Sequence, residues 1–276
     1  MVQVLTENCS IKIMFNIDKS AVSYKAPNPY SCDGQRSLFF FVDPPHLIKT
    51  VRNCWSKSGI TGTRHMVING QFIEWKQLWT VYDKVSGMAA TSRGISILPK
   101  LKFEHLKLTS FSRMRVDLAA QVLSQSVASA FSYYNDPSTT ETQKFVSYFD
   151  KFFDCMNVRS TTEWRKKKKP NLKPYTSIED ERLEWLQSEF LKYLKDSVKD
   201  TDLRAQDQNK MMLSRETMEG LQITVKSFVE MTKYILSETS TENSESLYFL
   251  SERISQDPIE NYFGKQRARG RRNENP

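Results

Sequence analysis

The 276-residue chain contains no run of 18 apolar residues, which excludes a helical membrane span. Its first residues lack a basic stretch followed by an apolar one, so no secretory leader is expected. Cysteine is scarce. Cys9, Cys32, Cys54 and Cys155 stand far apart with no C-x-x-C, and His46, His65 and His105 are the only histidines. That supply offers no zinc spacing and fits a reducing compartment. The nine glycines include neither G-x-x-x-x-G-K-[ST] nor G-x-G-x-x-G, which removes a P-loop and a dinucleotide fingerprint. No G-x-S-x-G occurs, and three scattered histidines leave little scope for a Ser-His-Asp site.

What is present is a foldable, mildly basic chain. Hydrophobic residues make up 39% and aromatics 12%, enough for a core of one large domain or two ordinary ones. The net charge of +8 is concentrated. Residues Glu163 to Lys173 carry net +5 and Gly264 to Pro276 carry net +4, so the remainder is close to neutral. Two basic patches on a neutral body suggest a polyanion partner, although a solvated linker and a tail would read alike.

Ser37 to Asp43 is an apolar, β-preferring run that reads as a buried strand. Pro44-Pro45 ends it, and a helix follows to Trp55 with Asp43 as N-cap. Asn69-Gly70 between two apolar pairs predicts a type I′ hairpin. Trp75, Leu78, Trp79 and Tyr82 predict an amphipathic helix after it. Helical spacing then predicts helices over Met114–Tyr134, Thr140–Met156, Glu179–Val198 and Ser214–Leu236. Asp257-Pro258 opens a last helix. Trp75, Trp79, Trp185 and the Phe145–Phe153 stripe sit at core spacing.

Two carboxylates occupy matched places: Asp43 at a strand end and Glu260 in the first turn of a helix. Two oxygen ligands from separate segments suit a hard cation such as Mg²⁺, with water and phosphate completing the shell. Both segments are equally good helix caps. As metal ligands, the acids must meet in space across 217 residues of sequence.

The segment Val42 to Asn53, with Asp43-Pro44-Pro45-His46-Leu47-Ile48-Lys49 and Arg52-Asn53, resembles the strand-to-helix junction of P-element-type transposases, which include the THAP-domain transposases. Leu250 to Gly270, with Gln256-Asp257-Pro258-Ile259-Glu260 and Phe263-Gly264-Lys265, resembles that family's other signature. Ser112 to Ser124 and Phe149 to Arg159 are similar to its helical middle.

The resemblance implies a mostly α chain with a small α/β part: an incomplete RNase H-like catalytic domain interrupted by a large helical, GTP-binding-type insertion. The implied boundaries are a partial core over 1–60, an insertion over 61–245, and a final helix with basic tail over 246–276. By the same resemblance, Asp43 and Glu260 are catalytic acids holding Mg²⁺, and His46 stands beside them. Asp257, Asp154 and Asn157 face GTP, and Asp117 weakens that site because it stands where the family has Lys. Lys49, Arg52, Lys265, Arg267, Arg269, Arg271 and Arg272 face DNA. The expected partners are transposon-end DNA and a second copy of the chain, the expected place is the nucleus, and no membrane is involved.

Two departures accompany the resemblance. Only 42 residues precede Asp43, too few for the strands that carry the family's first acid, so the chain reads as a truncated fragment with little or no cleavage. A strand without its sheet would leave Leu38–Val42 with open edges or no partner. The alternative is a non-catalytic nucleic-acid or nucleotide-binding helical module, a domesticated remnant. The Arg165–Lys169 run fits either nuclear import or DNA phosphate.

Overall fold

A computed structural model describes residues 2–4, 23–28, 30–31, 36–91, 96–199, 212–238 and 247–270. The chain is mostly helical with two small sheets. Strands β1 (Val2–Val4), β2 (Lys25–Pro27) and β3 (Ser37–Phe41) form the first, in the order β1-β3-β2. Helix α1 (Pro44–Trp55) follows, then the hairpin β4 (Val67–Ile68) and β5 (Gln71–Phe72) and helix α2 (Trp75–Thr91). The helical middle comprises α3 (Phe103–Leu106), α4 (Ser110–Met114), α5 (Val116–Val122), α6 (Gln125–Tyr134), α7 (Thr140–Met156) and α8 (Glu163–Lys167). Then come α9 (Glu181–Trp185), a π turn over Leu186–Phe190, α10 (Leu191–Lys199), α11 (Arg215–Glu238) and α12 (Asp257–Gly270).

The expectation of an unpartnered strand is overturned. β3 pairs in parallel with β1 through Val2↔Phe39 and in antiparallel with β2 through Lys25↔Phe39. Helix α11 then packs on it. Thr224 accepts the Val42 N–H at 2.9 Å and donates to the Val42 carbonyl at 2.9 Å, so the strand end keeps both backbone groups satisfied. Ser227 donates to the Tyr24 carbonyl at 2.8 Å, and Lys25 pairs with Glu230 at 2.7 Å. These contacts span about 200 residues, which is why local periodicity gave no sign of them.

Gly220 lets α11 pack tightly on Val42, just past β3, and on Leu47 of α1. A Cβ there would lie 3.1 Å from Leu47 Cδ2 and 3.3 Å from Val42 Cγ2. Gly220→Val is therefore expected to cost about 1–3 kcal/mol by overpacking. Urea denaturation measures this, and an unchanged midpoint would show that the packing has room to spare.

The hairpin turn has Asn69 at φ 49° and Gly70 at φ 72°, as a type I′ turn demands. Helix α7 matches the predicted span residue for residue. The expected Met114–Tyr134 helix is instead three pieces, broken where Arg115 and Ser124 adopt extended backbone. The Ser124 hydroxyl accepts the Val127 N–H and starts a new helix, which apolar spacing alone could not reveal. One apolar cluster runs from Phe41 and Leu47 through Trp55, Phe145 and Phe149 to Phe228. Trp75 and Trp185 are buried in it, as their spacing predicted. Phe190 from the π turn stacks on Phe152 with ring centres 4.9 Å apart.

Candidate functional site

Two places concentrate polar side chains. The first is the junction of β3 and α1. Asp43 caps α1: its Oδ2 accepts the His46 N–H at 3.2 Å, so the capping reading of the sequence holds. Its Oδ1 also accepts the Gln256 N–H at 3.1 Å, from the residue just ahead of α12. One carboxylate, 9% exposed, thus ties together segments 213 residues apart. Glu260, exposed one turn into α12, acts electrostatically on His46. Partial burial and Lys49 lower the His46 pKa, while Asp43 and Glu260 oppose that shift. Asp43 and His46 are joined by the cap bond, and Lys49 and Glu260 act on the His46 ring through charge.

The remaining sequence candidates divide. Lys265, Arg267 and Arg269 are exposed along α12, beside the exposed rings of Tyr262 and Phe263. The side chain of Asp257, and Arg271 and Arg272 altogether, lie outside the described residues. Arg52 is a correction. It is fully buried, and its guanidinium donates to the carbonyls of Ser112 at 3.0 Å and Arg113 at 3.1 Å and to Asn53 at 2.9 Å. Burial drives its pKa down to about 10. No face of it is left for DNA; it clamps the corner between α4 and α5.

The second place is a cavity of about 610 Å³ among α5, α6, α7 and α8. Asp150 and Asp154 line it from α7 and Asn157 from the C-cap of that helix, at spacings of four and three residues. Phe145, Phe149 and Phe152 of the same helix turn into the core, while Phe153 lines the cavity beside the acids. Asp117 and Gln121 line it from α5, and Ser124, Gln125 and Ser126 bring the N-terminus of α6 to its wall. Lys100, Lys167 and Lys169 add cationic groups.

Lys169 is the residue that charge counting misassigned, grouping it with the exposed basic run. Helix α8 ends at Lys168 in the left-handed conformation, φ 54°, and the Lys169 N–H bonds the Trp164 carbonyl at 3.0 Å. That reversal sends the Lys169 ammonium inward, 3.0 Å from Asp150 and 2.9 Å from Asp154. Burial works against its charge, but the two acids outweigh it and hold its pKa above the ordinary value. Burial and Asp150 push Asp154 up to about 6. Since the folded value exceeds the ordinary 3.8, the Asp154 contribution to stability is full below pH 3.8 and is lost as pH rises through about 6. Asp117 is exposed and paired with Arg115 at 3.0 Å, which lowers its pKa.

The backing of this cavity also escaped the sequence reading. Arg182 lies 3.8 Å over the Tyr175 ring, pairs with Asp180 at 2.7 Å and donates to the Asn171 carbonyl at 2.9 Å. It thereby holds the segment that brings Leu172 to the cavity wall. Cys155 behind it is fully buried with its thiol pushed up to about 12, so it is no nucleophile. No described helix is long and apolar enough to cross a membrane.

Residues 45–170 match the family described as TNP-like, GTP-binding insertion domain. The Transposable element P transposase of Drosophila melanogaster is 26% identical over 253 residues, which are 90% of this chain and 30% of that protein. The chain thus spans under a third of the length of that relative. A solved structure, the Drosophila P element transposase strand transfer complex, matches with a TM-score of 0.70 at 24% identity. That match covers 97% of this chain and 55% of the other.

Proposed function

We propose, from the homology of this chain to the P element transposase, that it carries two working parts of a DNA transposase. One is an acid junction that holds divalent metal against DNA, and the other is a pocket for a guanine nucleotide. The observation that carries the reading is the Gln256 N–H to Asp43 Oδ1 bond. It brings the β3–α1 and α12 segments together, as a shared metal site requires.

The donor set fits Mg²⁺. Two carboxylates, Asp43 and Glu260, are hard oxygen ligands, and Mg²⁺ is commonly bound by one or two such groups with water and phosphate. The lowered pKa of His46 keeps its ring neutral at neutral pH, so it does not repel a cation. When bound, the metal would polarise a phosphodiester. Lys265, Arg267 and Arg269 extend from the same helix as Glu260, where they would hold the DNA backbone. Such a protein would act in the nucleus.

Mn²⁺, as a paramagnetic stand-in, is expected to broaden the His46 ring resonances of the full chain. Asp43→Asn or Glu260→Gln is expected to abolish that broadening at the same metal concentration. Broadening that survives both substitutions would place the metal elsewhere.

The alternative reading is non-catalytic: a chain that holds nucleic acid through the exposed cations Lys265, Arg267 and Arg269 without cutting it. Nicking of transposon-end DNA by the 276-residue chain is accordingly expected at background. Robust nicking that Glu260→Gln removes would restore the catalytic reading.

In the pocket, the α6 N-terminus and the lysines suit phosphate. Asp154 and Asn157 suit a purine edge that offers N–H donors beside a carbonyl, which guanine does. The single charge reversal at Asp117 is moderated by its pair with Arg115.

A further inference from the structure

Resting on the guanine-nucleotide reading above, we infer that Lys169 is a positioning residue for that pocket: its ammonium, held between Asp150 and Asp154, keeps Asp154 a hydrogen-bond acceptor for the base. The sequence counts Lys169 with its neighbours as one more polyanion contact. The structure separates it from them. Arg165, Lys166, Lys167 and Lys168 are exposed, whereas Lys169 is half-buried with both Asp154 oxygens within 3.0 Å of its nitrogen.

Two carboxylates one turn apart on a buried helix stripe cannot both stay ionised without a cation between them. A protonated Asp154 would turn one acceptor into an O–H donor that faces the N–H donors of guanine. Lys169 prevents that at neutral pH. The other charged groups around Asp154 are Asp150 on α7, Glu163 and Lys167 on α8, Asp117 on α5 and Lys100 in the turn before α3. Lys167 acts in the same direction as Lys169, from further away.

The experiment follows the Asp154 carboxyl carbon by NMR against pH in the full chain, and in parallel the affinity for GTP and for guanosine. Guanosine lacks phosphate, so it reports the base contact alone. The wild-type midpoint is expected near 6. Lys169→Met is expected to raise it by about one to three pH units, the range an adjacent opposite charge imposes. Guanosine and GTP affinity at pH 7 should then fall by roughly twofold to a hundredfold and recover by about pH 9. Lys169→Arg should keep the wild-type profile. Asp150→Asn removes the competing acid and should move the midpoint down, which tests the idea even if Lys169→Met does not fold.

A GTP loss in Lys169→Met that is uniform across pH, with guanosine unaffected, would make Lys169 a phosphate contact and overturn the inference. So would a shifted carboxyl titration with an unshifted affinity profile. If the wild type binds neither GTP nor guanosine at any pH, the nucleotide reading itself fails and the inference falls with it, while the carboxyl titrations still report whether Lys169 controls Asp154.

Discussion

Arg52→Ala is expected to lower the unfolding free energy by about 3–5 kcal/mol. The side chain is fully buried, and the carbonyls of Ser112 and Arg113 both depend on its Nη2. Truncation removes the charged donor from both acceptors and opens a cavity beside α1. Hydrogen bonds to charged groups are worth about 1.5–3 kcal/mol each, and the void adds a further term. Asn53 also donates to the Arg113 carbonyl at 3.2 Å and the Arg115 N–H to the Ser112 carbonyl at 3.2 Å, so each acceptor keeps one weaker, neutral partner.

The native site is itself a compromise. Burial lowers the Arg52 pKa, and its Nη1 finds no hydrogen-bond partner among the described residues. Arg52→Met, which fills the space without the bonds, should therefore cost less than alanine. Guanidinium denaturation of the three chains measures the order. A loss below about 1 kcal/mol for alanine would mean that water replaces the guanidinium. Because α5 carries Asp117 and Gln121 into the cavity, displacement of the α4–α5 corner should also weaken nucleotide binding in the same variant.

Asp154→Asn is expected to weaken GTP binding by about 10- to 100-fold at pH 7, the loss of a charge-assisted hydrogen bond. The amide can present a donor where guanine also presents donors, so two N–H groups confront each other. Xanthosine triphosphate, which carries a carbonyl in place of the guanine amino group, should lose less or gain. Calorimetric titration of both nucleotides against the wild type and the variant checks this. Equal losses for the two nucleotides would show that Asp154 does not read the base. Unchanged GTP affinity would remove it from the pocket's recognition set.

How much of this was legible beforehand differs from residue to residue. Asp43 was legible twice, as a cap and as an acid, because a β-run stopped by Asp-Pro-Pro is a local pattern. Its second partner, the Gln256 N–H, was not, because nothing local marks a contact across 213 residues. Helix α7 was legible to the residue, since its phenylalanines repeat at helical spacing. Asp150 on the same helix was overlooked, although its four-residue spacing to Asp154 was the signal to look for. The breaks at Arg115 and Ser124 hid under continuous apolar periodicity. Arg52 was misplaced because a cation in a helix next to a candidate site reads as a DNA contact unless burial is known.

The sequence by itself determined the helical character, the type I′ hairpin, the α1 cap and the absence of a membrane-spanning run. Those follow from backbone preferences and spacing, which act over a few residues. Only the tertiary structure decided what the charges do. It turned Arg52 inward to a carbonyl corner and Lys169 inward to two aspartates. It left Lys265, Arg267 and Arg269 in solvent. It also joined Asp43 to the α12 segment and paired both edges of β3. The reason is that a charge acts through its neighbours and its exposure to water, and both are set by chain segments far away in sequence.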